Sequence, residues 1–262
     1  MNSSVASNSF VSREVLMKDR NAGVGDLYHQ ETKYRRDQSL GGGLDWSHQP
    51  SPYKEDPPTM KRVPLRLPVS HGGQPIWEVI SKRRSFREFS PRAISLGELF
   101  QLLWATQGVT ARAWGYDFRA VPSAGALYPI ETYILANRVD DLLPGIYHYD
   151  VRRAELVLLR EGDLGREAVC AGLGQGLLGD AAAVFIWTAI VERSKWKYRQ
   201  RAYRYIYMDA GHIGQNLYLA AMALNLGCCT VGAFFDEEVD RVVGVDGIEE
   251  ISVYLGAVGH LS

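Results

Sequence analysis

Only three of the 262 residues are cysteine: Cys170 and the adjacent pair Cys228 and Cys229. Adjacent cysteines have neither zinc-site spacing nor the spacing of a thioredoxin-like redox pair, and the six histidines do not gather around them. They read as buried thiols in a reducing compartment, and no metal site is expected. A surplus of charge is also absent. The 29 basic and 30 acidic residues give a net charge of -1, too little positive field for nonspecific attraction to nucleic acid. No apolar run approaches a membrane span, and the opening MNSSVASNSFVSREV has no basic stretch followed by a signal-length apolar segment. A cytoplasmic protein with neither nucleic-acid nor membrane partner is predicted. The dinucleotide fingerprint is missing too, because the GLGQG run at Gly172 breaks the G-x-G-x-x-G spacing and precedes a strand. With no G-x-x-x-x-G-K-S/T loop either, ATP or nicotinamide sites of the usual architecture are not expected.

What is present suffices for one sizeable core. Residues 1–74 are punctuated by glycine and proline without a sustained period, yet Trp46, Tyr53 and the PLRLP segment are costly to leave in water. They are predicted to form an extended arm lying on the body, residues 75–262, or on a partner subunit. Within the body, a helix is expected from Pro75 through IWEVISKRR. A second has a capping box at Ser95 and Glu98, with Gly108 closing it in a left-handed conformation. Strands are expected at ETYILANRV, at a hairpin turning near Asp150 to Arg153, at AAVFIWTAIV, at CTVGAFF and at ISVYLGAVG. A short helix follows Asp163, a long one runs from Tyr203 to Leu226 and ends at Gly227, and Asp236 caps another short one. This order favours an α+β layer structure over a doubly wound sheet.

Four local features could carry chemistry. Arg83, Arg84, Ser85 and Arg87 are either a solvated basic helix end or a grip for a phosphate. The small residues Pro122, Ser123, Ala124 and Gly125 make either a tight turn or a backbone surface against a flat ligand. His212 and Asn216, one turn apart on the long helix, are either a structural hydrogen-bond pair or ligand contacts. Lys197 and Tyr198, inside the basic and aromatic SKWKYRQRAYRYIY, are candidate acid/base groups, or part of a surface that binds peptide.

Taken together, RRSFREF, PSAGALYP, KYRQRAYRYIYMDAGHIGQNLYLAA, NLGCCTVGAFFDEEV and YLGAVG resemble the FMN-dependent nitroreductase superfamily, specifically its SagB-type dehydrogenase branch. The resemblance covers Arg83 to Gly259. It implies a three-layer α+β flavoprotein with a central mixed, mainly antiparallel sheet, and a homodimer building FMN sites at its subunit interface. Arg83, Arg84, Ser85 and Arg87 would then contact the cofactor, Pro122 to Gly125 would approach it from the second subunit, and His212, Asn216, Gly232 and Gly256 would complete the pocket. It further implies two-electron hydride transfer, with Lys197 as base and Tyr198 as proton relay if the substrate is a thiazoline or oxazoline in a modified peptide handled by a multienzyme assembly. The alternatives are an NAD(P)H-dependent reductase of nitroaromatics, quinones or another conjugated acceptor, and a flavin-free peptide-binding scaffold. The chain departs from the family pattern twice: Arg199 stands where a glycine is usual, and no cation follows YLGAVG to hold phosphate.

Overall fold

A computed structural model describes residues 23–36, 43–66 and 68–262. The expectations for the opening MNSSVASNSFVSREV stretch and for Leu67 of PLRLP lie outside the described residues. The chain divides into two compact units, Met1–Asp45 and Trp46–Ser262. In the first, helix α1 (Val24–Glu31) is closed at its start by the Asp26 carboxylate, which accepts from the Gly23 N–H at 2.9 Å.

The second unit is built on a seven-stranded sheet. Its strands are β1 (Arg62–Pro64), β4 (Ile130–Ala136), β5 (Gly145–Asp150), β6 (Glu155–Glu161), β7 (Ala183–Ile190), β8 (Leu226–Val231) and β9 (Glu250–His260), while β2 (Val109–Ala113) and β3 (Tyr116–Arg119) form a separate hairpin. The spatial order is β1-β6-β5-β4-β7-β9-β8, and every neighbouring pair is antiparallel. An isolated parallel bridge joins Ile94 to Val139. Helices α2 (Ile76–Lys82), α3 (Leu96–Gln107), α4 (Gly165–Ala171), α5 (Leu177–Asp180), α6 (Val191–Tyr198), α7 (Ala202–Ala223) and α8 (Asp236–Val243) complete the layers.

The central strands read as almost unbroken apolar runs because both of their faces are covered. Successive side chains on a strand point to opposite faces. Ile134, Phe185 and Trp187 accordingly join Leu99 and Leu103 of α3 and Ile213 and Leu217 of α7, whereas Tyr133, Leu135, Val184 and Ile186 join Leu178, Val239 and Val242 of α5 and α8. This is the α+β, helix-flanked sheet that the residue pattern predicts. Among the described residues, no helix is long and apolar enough to cross a membrane.

Several local expectations are corrected. The Ser95–Glu98 box closes α3 as read, but Gly108 is extended (φ -61, ψ 147) rather than left-handed. Glycine is needed there for space, since a Cβ would lie 2.2 Å from Trp104 Cδ1. Helix α7 stops at Ala223, short of Leu226. Asn225 makes the left-handed turn (φ 60), and Leu226 and Gly227 already pair with His260 and Gly259. Asp236 is the first residue of α8 and makes no side-chain cap; Phe235 precedes it at the cap position, and the acidic first turn favours the helix through its dipole. Cys228 and Cys229 are buried as expected, but Cys170 is exposed.

Candidate active site

Between β3 and β4 the small-residue passage turns sharply. Gly125 (φ 68), Ala126 (φ 53) and Tyr128 (φ 46) are all left-handed, a conformation that only glycine enters without strain. The turn is held from outside. Ser123 Oγ donates to Asp209 Oδ2 at 2.6 Å and accepts from the Tyr128 N–H at 3.0 Å, while the Ala124 N–H donates to Asp209 Oδ1 at 3.3 Å. Asp209, on α7, is 4% exposed. Burial pushes its carboxyl above the ordinary value, against the opposing pull of Ser123, the Ala124 amide and His212.

Lys197 and Tyr198 come to this turn from the last turn of α6. A Cβ added at Gly125 would lie 2.7 Å from the Tyr198 hydroxyl and 3.0 Å from Lys197 Nζ. Gly125 therefore serves both of the purposes left open for it: it takes the left-handed turn, and it lets two polar tips reach the backbone. Tyr198 packs on Tyr205 with ring centroids 4.5 Å apart, and its phenol is pushed up by burial first, then by Tyr205 and Asp209. Arg193, buried one turn earlier on α6, donates from Nη1 to the Tyr128 carbonyl at 3.0 Å and to Glu131 Oε1 at 2.5 Å. That ties the helix to the exit of the turn. Arg199, directly after the pair, has φ 52 and ψ -135, so the position usually held by glycine keeps a glycine-type backbone.

Beside the turn opens a hollow of about 300 Å³, walled by Trp46, Trp114, Tyr116, Phe118 and Trp196, with Gly125 to Leu127 and Lys197 also lining it. Trp46 meets Trp196 edge to face at 5.3 Å, and Trp114 meets Phe118 likewise at 6.3 Å. Behind the turn lies a buried ionic cluster. His148 Nδ1 sits 2.6 Å from Asp56 and Nε2 sits 3.1 Å from Glu131. Burial alone would lower the His148 pKa, but the two carboxylates reverse this and raise it to about 9. Glu131 is likewise opposed by burial, yet Arg193 and His148 hold it down at about 2.

The arginine segment meets the far end of α7. Arg83 stacks over the Tyr218 ring at 5.1 Å, and Ser85 Oγ and the Tyr218 hydroxyl share a 3.0 Å hydrogen bond. Tyr218 also accepts from the Thr230 N–H at 2.9 Å, and the Tyr254 hydroxyl donates to Thr230 Oγ1 at 2.6 Å. Arg84 and Arg87 are exposed and, among the described residues, donate only to backbone carbonyls of their own segment. Among the described residues, none of Arg83, Arg84 and Arg87 pairs with a carboxylate. Gly232 lies exposed, 3.8 Å from Tyr254 when given a Cβ, whereas the space beside Gly256 is taken by Leu217 and Trp187. Asn216 Nδ2 donates to the Ala105 carbonyl at 2.8 Å, a helix-to-helix tie, and His212 is exposed. The sequence reading did not single out Asp209, Tyr218, Thr230, Tyr254 or Arg193. A signal existed for Asp209: it lies three residues after Ile206 and four before Ile213, an acid on the apolar face of the helix.

The Nitroreductase family matches residues 80–260. The chain belongs to the nitroreductase family. A Methanocaldococcus jannaschii protein described as a nitroreductase is 38% identical over 183 residues, 70% of this chain and 89% of that one. The trifolitoxin-processing protein TfxB of Rhizobium leguminosarum bv. trifolii is 33% identical over 147 residues, 54% of this chain but only 39% of its own length. A solved nitroreductase-type structure from Anabaena variabilis superposes with a TM-score of 0.72 at 29% identity, covering 88% of this chain and 45% of that one. The likeness to the trifolitoxin-processing protein points toward the SagB-type branch within the family. As a nitroreductase-family member, the protein is an oxidoreductase with the FMN-binding capability of that family. Its residues fit that cofactor. Three guanidinium groups that, among the described residues, have no carboxylate partner suit a phosphate.

Proposed function

We propose that the protein is an FMN-dependent dehydrogenase that removes two electrons from a thiazoline or oxazoline ring in a modified peptide. The observation that carries this reading is the approach of Lys197 Nζ and the Tyr198 hydroxyl to the backbone at Gly125, beside an aromatic-walled hollow. The likeness to a protein named for trifolitoxin processing supports a peptide substrate. Bound FMN supplies a two-electron acceptor that takes hydride. Arg83, Arg84 and Arg87 hold its phosphate by charge-assisted hydrogen bonds, and Ser85 adds a hydroxyl. Pro122 to Gly125 present a surface without bulk, with His212, Asn216 and Gly232 as the remaining candidates along the pocket. Lys197 Nζ is placed to take the carbon-bound proton, and Tyr198 orients the ring and relays that proton outward.

The working unit in this reading is a homodimer with FMN between subunits. It is supported by the exposed Ile76, Trp77 and Ile80 on α2 and Tyr207 and Met208 on α7, large apolar groups that a second copy would cover. The 38% identity to a nitroreductase-described protein favours a second reading, an NAD(P)H-dependent reductase of nitroaromatics or quinones.

Anaerobic reduction of the bound flavin decides between them. Bleaching by an azoline peptide and not by NADH or NADPH is expected; bleaching by a nicotinamide alone establishes the reductase. The cofactor assignment is tested separately by replacing Arg83 and Arg87 together with alanine. That variant should fold and lose most of its FMN on purification, and full flavin content in it would refute the phosphate grip.

A further inference from the structure

We propose that Asp209 is a positioning residue whose carboxylate, held on the buried side of α7, clamps Ser123 and Ala124 and so seats Gly125 against Lys197 and Tyr198. For its effect on turnover the proposal rests on the roles given above to Lys197 and Tyr198. The clamp itself rests only on contacts within the chain.

Three observations converge. First, the carboxylate is 4% exposed and, among the described residues, forms no ion pair. Its hydrogen-bond partners are the Ser123 hydroxyl at 2.6 Å and the Ala124 amide at 3.3 Å. An acid kept dry without a salt-bridge partner, with only the charge of exposed His212 one turn on to oppose its burial, is a poor choice for stability alone, because a well-packed apolar side chain would avoid the desolvation. Second, the segment it grips is the strained one. Gly125, Ala126 and Tyr128 are left-handed, and Ser123 Oγ passes the restraint on by accepting from the Tyr128 N–H at 3.0 Å. Such conformations persist only where surrounding contacts over-determine them. Third, the clamped residues adjoin the one the reactive tips reach, since Asp209 holds Ser123 and Ala124 while Tyr198 and Lys197 approach Gly125, the next residue. Helix α7 fixes Asp209, the turn is fixed by Asp209, and the turn sets the floor on which the two tips rest.

Hydrogen exchange at the Ala124 and Tyr128 amides of the FMN-loaded protein tests the clamp without reference to turnover. Asp209→Ala should speed exchange at both amides by about tenfold or more. Asp209→Asn, which keeps one acceptor oxygen, should fall between that variant and the parent. Ser123→Ala removes the same hydrogen bond from the other end and should speed exchange at Tyr128 even if Asp209→Ala does not fold. In turnover, kcat should drop for Asp209→Asn while KM holds, because substrate contacts are untouched and only the placement of the floor changes. Unchanged exchange at both amides in Ser123→Ala and Asp209→Asn overturns the proposal. If exchange rises but neither these variants nor Lys197→Ala alters turnover, the clamp stands and the catalytic roles of Lys197 and Tyr198 fall.

Discussion

Replacing Gly125 with alanine sets a small stability cost against a large expected loss of activity. The backbone there is left-handed (φ 68), which costs an alanine about 1 kcal/mol relative to glycine. The new methyl would also lie 2.7 Å from the Tyr198 hydroxyl, so that oxygen must retreat by roughly 0.7 Å to regain an ordinary 3.4 Å contact. Lys197 Nζ, at 3.0 Å, must give a few tenths. Both are ends of flexible side chains, so their retreat adds little to unfolding. A total of about 1–2 kcal/mol is expected, lowering Tm by a few degrees. Displacing two reacting groups by such distances can cost a reaction on the order of a hundredfold. Thermal unfolding and single-turnover flavin reduction, run on the same preparation, compare the two effects. The site assignment fails if Gly125→Ala reduces flavin within about twofold of the parent rate.

Two further outcomes follow from strain and from buried charge. Arg199→Gly should raise the urea midpoint by the equivalent of about 1 kcal/mol, because φ 52 with ψ -135 strains arginine and not glycine; a lower midpoint would show that the arginine side chain contributes more than its backbone costs. His148 is raised from 6.5 to about 9, so its stabilising contribution is full below pH 6.5 and fades as pH climbs through 9. Denaturation midpoints should therefore fall across that alkaline window in the parent and much less in His148→Gln, whereas equal slopes would remove His148 from the account. On the acid side, Glu131, held at about 2, keeps its contribution above its ordinary 4.5 and loses it as pH falls toward 2.

The layers were legible because they rest on patterns that short windows contain. IETYILA and AVFIWTAI announce strands covered on both faces, and the Ser95–Glu98 box announces a helix start. The β2–β3 hairpin was not read. Its strands are short, with Arg119 their one buried residue, and its turn runs through Trp114 (φ 53) and Gly115 (φ 79), where a tryptophan hides a two-residue turn normally signalled by Asn or Asp before glycine. Part of the site was legible in the same way. Lys197, Tyr198 and Gly125 stood out as local features, motif likeness gave them roles, and the fold brings them together. Asp209 required the third dimension, because its partners Ser123 and Ala124 lie more than eighty residues earlier in the chain. His148 needed it too, because Asp56 lies 92 residues earlier and Glu131 reaches it only from the neighbouring strand β4.

Helix α7 carries two glycines inside its apolar periodicity, and among the described residues only one has an explanation in its neighbours. Gly214 makes room for Tyr254, whose Cε1 would stand 2.7 Å from an added Cβ. Among the described residues, and apart from its own helix, nothing lies within 4 Å of a Cβ added at Gly211. Interior glycine costs a helix about 1 kcal/mol relative to alanine, so a chain acting alone gains by replacing it. If a second copy packs closely along Tyr207, Met208 and Gly211, an added methyl intrudes there. Gly211→Ala is then expected to stabilise the isolated subunit by about 1 kcal/mol in urea while raising the dimer dissociation constant by about tenfold in sedimentation equilibrium. FMN retention should fall in step with dimer dissociation, because in the proposed arrangement each cofactor is held by both subunits. A Gly211→Ala protein with unchanged dimer affinity and unchanged flavin would mean that no second copy approaches this face of α7, and the interface would then have to be sought at Ile76, Trp77 and Ile80.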